Sequence, residues 1–463
     1  MTAVVILIFV LGYLTITLEH PLKLDKTVPA LLMAAAMWAL LAVGFHEGWF
    51  TLIDDHEATF KAVKGVIDAK AEDGFHNLLL HHLGKTSEIL VFLIGAMTIV
   101  EIIDLHRGFE ILKGWVKTKS KKKLLWIIAI LAFFLSAVID NLTATIVLIT
   151  LLRKLVKHNK DRIWYAGLIV IAANAGGAWS PIGDVTTTML WIGKRTSGAH
   201  LVERLFLPSL VNLVVPVFLA STFLPVFKGN VSFTAEDHKK VEKLLSSKTM
   251  LFLGIGMILF VPVFKTVTHL PPYLGMMLGL GVVWLVSEFI HPEEDFDEER
   301  KQMYSAHKAL SRIEMSSILF FLGILMAVAA LETLVYGTVM IDGKPISVGT
   351  LRYLAEMLNH VIPDQSIVIS LLGVLSAIID NVPLVAASMG MYNAPIDASI
   401  WHLIAYAAGT GGSMLIIGSA AGVAAMGMEK IDFIWYMKKI TWMAVIGYVL
   451  GYLLLLFMES FKV

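Results

Sequence analysis

Two short strings in the 463-residue sequence place a serine, a carboxylate and an amide within about one helical turn: Ser136-Ala137-Val138-Ile139-Asp140-Asn141 and Ser376-Ala377-Ile378-Ile379-Asp380-Asn381. Hydroxyl, carboxylate and amide oxygens at that spacing can converge on one small hard cation, and oxygen-only ligands suit an alkali ion. Thr143 adds a hydroxyl just beyond the first string. The plainer reading is that Asp and Asn only cap helix ends. Against it, both strings lie inside long apolar runs, where an ionised Asp costs roughly 2.5–3.5 kcal/mol on insertion scales and so calls for a partner or a function.

A third stretch, Asn174-Ala175-Gly176-Gly177-Ala178-Trp179-Ser180-Pro181-Ile182-Gly183-Asp184, sets glycines, a proline and polar side chains where a continuous helix needs none, and Thr186, Thr187 and Thr188 follow. The helix is expected to unwind there, so that freed carbonyls become cation ligands and half-helix dipoles point at the site. Gly409-Thr410-Gly411-Gly412-Ser413 through Gly418-Ser419 repeats the glycine and hydroxyl character without a carboxylate. Small residues also serve close helix packing, the reading preferred around Gly422. Glu101 and Glu332 fall towards the ends of apolar runs, where a proton-relay role competes with snorkelling to an interface. His76, His81 and His82 have no carboxylate at ligand spacing and read as a solvated amphipathic helix. The acidic run 293–299 reads as a solvated loop.

The elements that must hold these groups follow from composition. Hydrophobic residues make up 57% and charged residues 16% of the chain, and the mean hydropathy is +0.76. The bilayer is the expected solvent. Net charge is zero, which leaves no nucleic-acid footprint, and cysteine is absent, which excludes disulfides and thiolate metal sites. Met1-Thr2-Ala3-Val4-Val5 opens straight into an apolar run and reads as a first span, not a signal peptide.

Spans are expected at about 2–18, 27–45, 88–105, 163–192 (interrupted), 205–227, 250–266, 273–290, 313–336, 401–427 (interrupted) and 440–458. The segment from Lys123 to Arg153 is too long for one span and too short for two. Basic residues flank it on both sides, so it should enter and leave by the cytoplasmic face as a re-entrant hairpin with its tip at Asp140-Asn141. A second hairpin, about 366–392, has few basic neighbours and is expected to enter from the outside. The predicted fold class is therefore an all-α polytopic membrane protein of two inverted-topology repeats, residues 1–227 and 250–463. A basic cytoplasmic linker, 228–249, joins them, and each repeat holds a re-entrant hairpin and an interrupted transmembrane helix. Lys194, Arg195 and Arg204 fall in a segment placed outside and run against the charge rule.

The paired Ser-x-x-x-Asp-Asn strings, with the run from Asn174 to Thr188, resemble the NhaD-type sodium/proton antiporters of the ion transporter superfamily over nearly the whole chain. The resemblance implies exchange of Na⁺ or Li⁺ for H⁺ with no cofactor, and, from the superfamily, a homodimer; a bacterial cytoplasmic membrane is the expected location. It ties Asp140, Asn141, Asn174, Asp184, Thr186, Thr187, Ser376, Asp380, Asn381 and Ser413 to ion binding. The reading of the residues themselves adds Ser136, Thr143, Gly176, Gly411 and Ser419. The chemistry would be competition at Asp140 and Asp380, with Asp184 a third candidate, because a low-dielectric site favours the protonated carboxyl while a bound cation favours the ionised one. Two other classes are weighed. A sodium-coupled dicarboxylate symporter shares this plan, but an Asp at each hairpin tip would repel an anion. An intramembrane aspartyl protease would use Asp140 and Asp380 as a dyad, yet its Gly-x-Gly-Asp is missing and the adjacent Asn has no hydrolytic purpose.

Overall fold

Helix ends in this chain are set by capping side chains and by breaks in the apolar runs. The computed structural model describes residues 1–54, 58–63, 69–116, 118–231, 244–292, 304–341 and 344–461. The acidic run 293–299 and most of the basic linker lie outside them. In chain order the principal helices are α1 (Thr2–Thr17), α2 (Thr27–His46), α3 (Ala69–Leu105), α4 (Lys121–Ile139), α5 (Asn141–Leu155) and α6 (Asn159–Ala178). Next come α7 (Val185–Ile192), α8 (Gly198–Phe223), α9 (Ser247–Thr268), α10 (Pro272–Phe289), α11 (Met315–Thr333) and α12 (Thr350–Val361). The last are α13 (Gln365–Leu375), α14 (Asn381–Met391), α15 (Ser399–Gly411), α16 (Ala420–Glu429), α17 (Phe433–Lys439) and α18 (Thr441–Ser460).

Seven of these are long and apolar enough to cross a membrane, or eight if α12 and α13, bent by 116°, count as one broken span. Large apolar side chains on α1, α9 and α10, among them Leu7, Leu14, Phe252, Val263, Met277 and Leu285, are exposed. In a bilayer such faces meet lipid tails at no cost. The apolar runs break where expected: α4 and α5 meet at Asp140, α13 and α14 flank residues 376–380, and the pairs α6/α7 and α15/α16 are each broken once, although α4 by itself is long enough to cross a membrane.

The chain is nearly all helical, as the all-α reading expects, with two small additions. Two short antiparallel hairpins occur, β1 (Leu52–Ile53) with β2 (Thr59–Phe60) and β3 (Val335–Ile341) with β4 (Lys344–Gly349). The second comes from β-branched and aromatic residues on either side of Asp342-Gly343, a strong hairpin signal. Its hydropathy hides it in the run ending α11.

The chain divides into two compact units, Met1–Leu90 with Glu314–Val368 and Val382–Pro395, and Val91–Ile313 with Ile369–Asn381 and Ile396–Val463. In the first, α2 and α11 pack so closely that a Cβ on Gly323 would lie 2.6 Å from the Ala30 carbonyl carbon. The Trp38 Nε1 donates to Met326 O at 2.8 Å. His82 is buried, its ring 6.2 Å from that of Trp38, whereas His76 and His81 are exposed; only these two fit the solvated face expected of all three.

In the second unit α8 lies along α18, and α5, α6 and α15 form the interior with α4. His106, just past α3, is fully buried with Nδ1 2.8 Å from Ser246 Oγ. Burial pushes its imidazole down to about 4, against a backbone hydrogen bond with Tyr304 that works the other way. Between the ordinary value near 6.5 and about 4 the unfolded chain binds the proton and the folded one does not. Stability therefore falls as pH drops through that window, by up to about 3 kcal/mol. Melting of the detergent-solubilised protein at pH 7.5 and pH 4.5 should show the loss, and His106→Gln should remove that component.

Candidate ion-binding site

Asp140 sits between α4 and α5 with φ 73°, a backbone conformation that turns the chain within one residue. Its carboxylate caps α5, Oδ1 accepting from Thr143 N at 2.8 Å and Oδ2 from Thr143 Oγ1 at 2.9 Å. Thr143 thus serves the carboxylate directly.

Ser136 and Ser376 have matching partners. Ser136 Oγ donates to Ala173 O in α6 at 2.6 Å, and Ser376 Oγ donates to Ala408 O in α15 at 3.1 Å. The glycines repeat the correspondence. A Cβ on Gly176 would collide with Phe133 O and one on Gly411 with Gly373 O. A Cβ on Gly183 would lie 2.8 Å from Ser136 O, and one on Gly418 would lie 2.6 Å from Ser376 O. Each hairpin arm is pressed, backbone to backbone, against the helix that precedes a break.

The breaks fall later than expected. α6 stays helical through Gly176 and Gly177, and α15 through Gly411, so only residues 179–184 and 412–419 are unwound. The reason is packing: inside a close interface a glycine's lost conformational freedom is offset by contacts that no side chain would permit. Gly176 and Gly411 are thus contact points inside helices and not part of the unwound stretches.

Around the breaks the polar side chains bond to one another. Asn141 Nδ2 donates to Asn174 Oδ1 at 3.2 Å, and Asn174 Nδ2 donates to Ser419 Oγ at 3.0 Å. Asp184 caps α7 with its Oδ1 3.5 Å from Thr186 N, while its Oδ2 accepts from Asn381 Nδ2 at 3.2 Å. Asp184 is 3% exposed and within electrostatic range of Asp380 and Asp140, both of which are half-buried. Thr187 Oγ1 donates to Asp184 O at 3.0 Å. Thr186 Oγ1 is buried beside Asp184, which puts a hydroxyl oxygen next to the most buried of the three site carboxylates.

Other candidates lie elsewhere or are already committed. Ser413 Oγ donates to Thr410 O at 2.7 Å. Glu101 is 3.0 Å from Arg312 Nε, and the same guanidinium reaches Asp104 at 2.7 Å, so it is half of an ion pair at the end of α3. Glu332 belongs to the other compact unit, beside Gly349 and Gly390. Among the described residues no three His, Cys, Asp or Glu side chains stand at metal-binding spacing. A cation here would draw on hydroxyl, amide and carbonyl oxygens around single carboxylates, a set that suits a monovalent ion.

Sequence reasoning did not anticipate the Asp184–Asn381 bond, which joins residues almost 200 positions apart, or the burial of the Thr186 hydroxyl beside it.

Buried oxygen-rich breaks in a multi-pass helical chain define a membrane transporter, and the known proteins it resembles agree. A family model described as "Citrate transporter" (CitMHS) matches residues 6–403. The chain is 44% identical to "Sodium/proton antiporter 1" of Arabidopsis thaliana, over 96% of this chain and 70% of that protein. It is 41% identical to "Sodium/proton antiporter 2" of the same plant, over 98% and 99%. Against the "Na(+)/H(+) antiporter NhaD" of Vibrio cholerae identity is 32%, over 97% and 90%. The chain belongs to the CitMHS family and, within it, to the NhaD-type sodium/proton antiporters. The fold is also that of the Alcanivorax borkumensis YdaH transporter, at TM-score 0.54 and 13% identity over 94% of this chain and 98% of that one.

Proposed function

We propose that the protein exchanges Na⁺ for H⁺ by alternating access, with Asp184 as the carboxylate that holds either ion and Asp140 and Asp380 setting the charge around it. The observation that carries this reading is the placement of Asp184, buried at the start of α7, bonded to Asn381 of the second hairpin and beside the buried hydroxyl of Thr186. A cation taking oxygens from Asp184 and Thr186 stabilises the ionised carboxylate; without it, low-dielectric surroundings favour the proton. The two ions then compete for one group, and exchange follows.

Asn141, Asn174 and Ser419 form a hydrogen-bonded chain that holds both hairpin-facing breaks in register. Li⁺ shares the charge and the oxygen preference of Na⁺ and belongs in the same proposal. So do the inverted arrangement of residues 1–227 and 250–463 and a homodimer, on the strength of the resemblance. The host membrane must carry a proton gradient, which a bacterial cytoplasmic membrane does.

The test is a pH-gradient assay in everted vesicles with Na⁺, Li⁺ and K⁺ added in turn. Na⁺ or Li⁺ should dissipate the gradient and K⁺ should not. The family's description as citrate transporter supplies a second arm. Na⁺-dependent uptake of labelled citrate or succinate, without dissipation of the gradient, would replace exchange by symport.

A further inference from the structure

Three helices that bring ligands to the proposed site finish their other ends on one buried carboxylate. α5 is capped by Asp140 and ends at Leu155, α6 starts at Asn159 and carries Asn174 in its last turns, and α16 is capped by Ser419 and ends at Glu429. Near the site the three are joined through Asn141, Asn174 and Ser419. At the far end they are joined through Glu429, whose side chain is 0% exposed.

Both oxygens of Glu429 are used. Oε1 accepts from Arg153 Nε of α5 at 2.7 Å. Oε2 accepts from Arg162 Nε at 3.0 Å and from Asn159 Nδ2 at 2.9 Å, both of α6. Backbone contacts reinforce the junction, since Asn159 Nδ2 also reaches Glu429 O at 3.1 Å and the Arg153 guanidinium donates to Met428 O.

The other broken span has a comparable junction. Past the end of α7, Asp397 Oδ1 accepts from Ser197 N at 2.6 Å and from Thr196 Oγ1 at 3.0 Å. Both broken spans therefore finish against a carboxylate from the second half of the chain, but only Glu429 is held by two guanidinium groups.

Charge-assisted hydrogen bonds are short and directional, so they fix spacing more tightly than apolar packing does. α16 has 10 residues and is about 15 Å long. A displacement at Glu429 is carried along that short rod to Ser419, and from there to Asn174. Removing the carboxylate would leave the largely buried Arg162 guanidinium, with the exposed Arg153 beside it, without a counter-charge.

We infer that Glu429 is a positioning residue for cation binding, which sets the mutual spacing of Asp140, Asn174 and Ser419 from the opposite ends of α5, α6 and α16. The inference rests on the exchange reading above.

The experiment measures Na⁺-driven proton movement in everted vesicles across a Na⁺ titration for the wild type, Glu429→Gln and Glu429→Asp, normalised to folded transporter recovered by size exclusion. Glu429→Gln keeps the shape and loses the charge. It should raise the apparent KM for Na⁺ by about tenfold or more, as expected for loss of a charge-assisted bond. Its maximal rate per folded molecule should stay within roughly threefold of wild type. Glu429→Asp, still charged, should recover most of the KM.

A purely structural role would lower the amount of folded transporter and leave KM alone, so an unchanged KM in folded Glu429→Gln overturns the inference. If that variant does not accumulate, Arg162→Gln, which leaves the Arg153 pair in place, is read by the same criterion. A wild type that moves no protons in response to Na⁺ or Li⁺ overturns the exchange reading and this inference with it. An active wild type with an unmoved KM in the variants overturns this inference alone.

Discussion

Asp184→Asn is expected to abolish Na⁺-driven proton movement, with a loss on the order of a hundredfold or more, the equivalent of roughly 2.7 kcal/mol. Asparagine has nearly the same shape as aspartate, can still cap α7, and can still accept from Asn381 through its carbonyl oxygen. What it cannot do is carry a negative charge or a titrating proton, and those are the two states that exchange requires. Asp140→Asn should be milder. The Asp140 carboxylate already spends both oxygens on Thr143, a capping task that Asn performs well. Parallel measurement of the two variants in everted vesicles, with protein levels matched, separates a carrier of the exchanged ion from a residue that shapes its surroundings. Asp184→Asn retaining more than about a tenth of wild-type activity, one decade or about 1.4 kcal/mol of effect, would remove Asp184 from the mechanism.

Gly411→Ala is expected to be strongly destabilising. The added methyl would collide with Gly373 O, and because that obstacle is backbone, relief requires α13 and α15 to move apart. Overpacking of this kind costs about 1–3 kcal/mol and occasionally more. Separating the helices would also strain the Ser376–Ala408 hydrogen bond at the same contact. Gly176→Ala should behave alike, since its collision is with Phe133 O. Gly427→Ala is the control. It lies within α16, has nothing within 4 Å of its Cβ position, and gains the helix propensity of alanine. Thermal unfolding in detergent should show Gly411→Ala and Gly176→Ala well below wild type and Gly427→Ala at or above it. Equal midpoints for all three would mean that the hairpin arms do not pack on the broken helices in this way.

Hydropathy, charge and the two Ser-x-x-x-Asp-Asn strings were enough to read a multi-pass helical chain with two hairpins and two broken helices. Each of these is written locally: an apolar run fixes a helix, an Asp-Asn pair within it fixes a turn, and proline and glycine fix a break. The turn at Asp140 and the caps at Asp184 and Ser419 are of this kind. Other features depend on which element lies alongside which. Gly176 and Gly411 could have been unwound ligands or close contacts, and only the presence of Phe133 and Gly373 across the interface makes them contacts. The β3–β4 hairpin was visible as alternating β-branched residues but was absorbed into a hydropathy window that does not separate strand from helix.

Of the three carboxylates that stood out in the sequence, the repeat favoured Asp140 and Asp380 over Asp184, because depth is not written locally. Tertiary structure buried Asp184, brought Asn381 to it from almost 200 residues away, and gathered Arg153, Arg162 and Glu429 from separate charged ends into one hub. Helices and turns are decided by residues within a few positions of each other. The burial and bonding of a charge are decided by whatever the rest of the chain places around it.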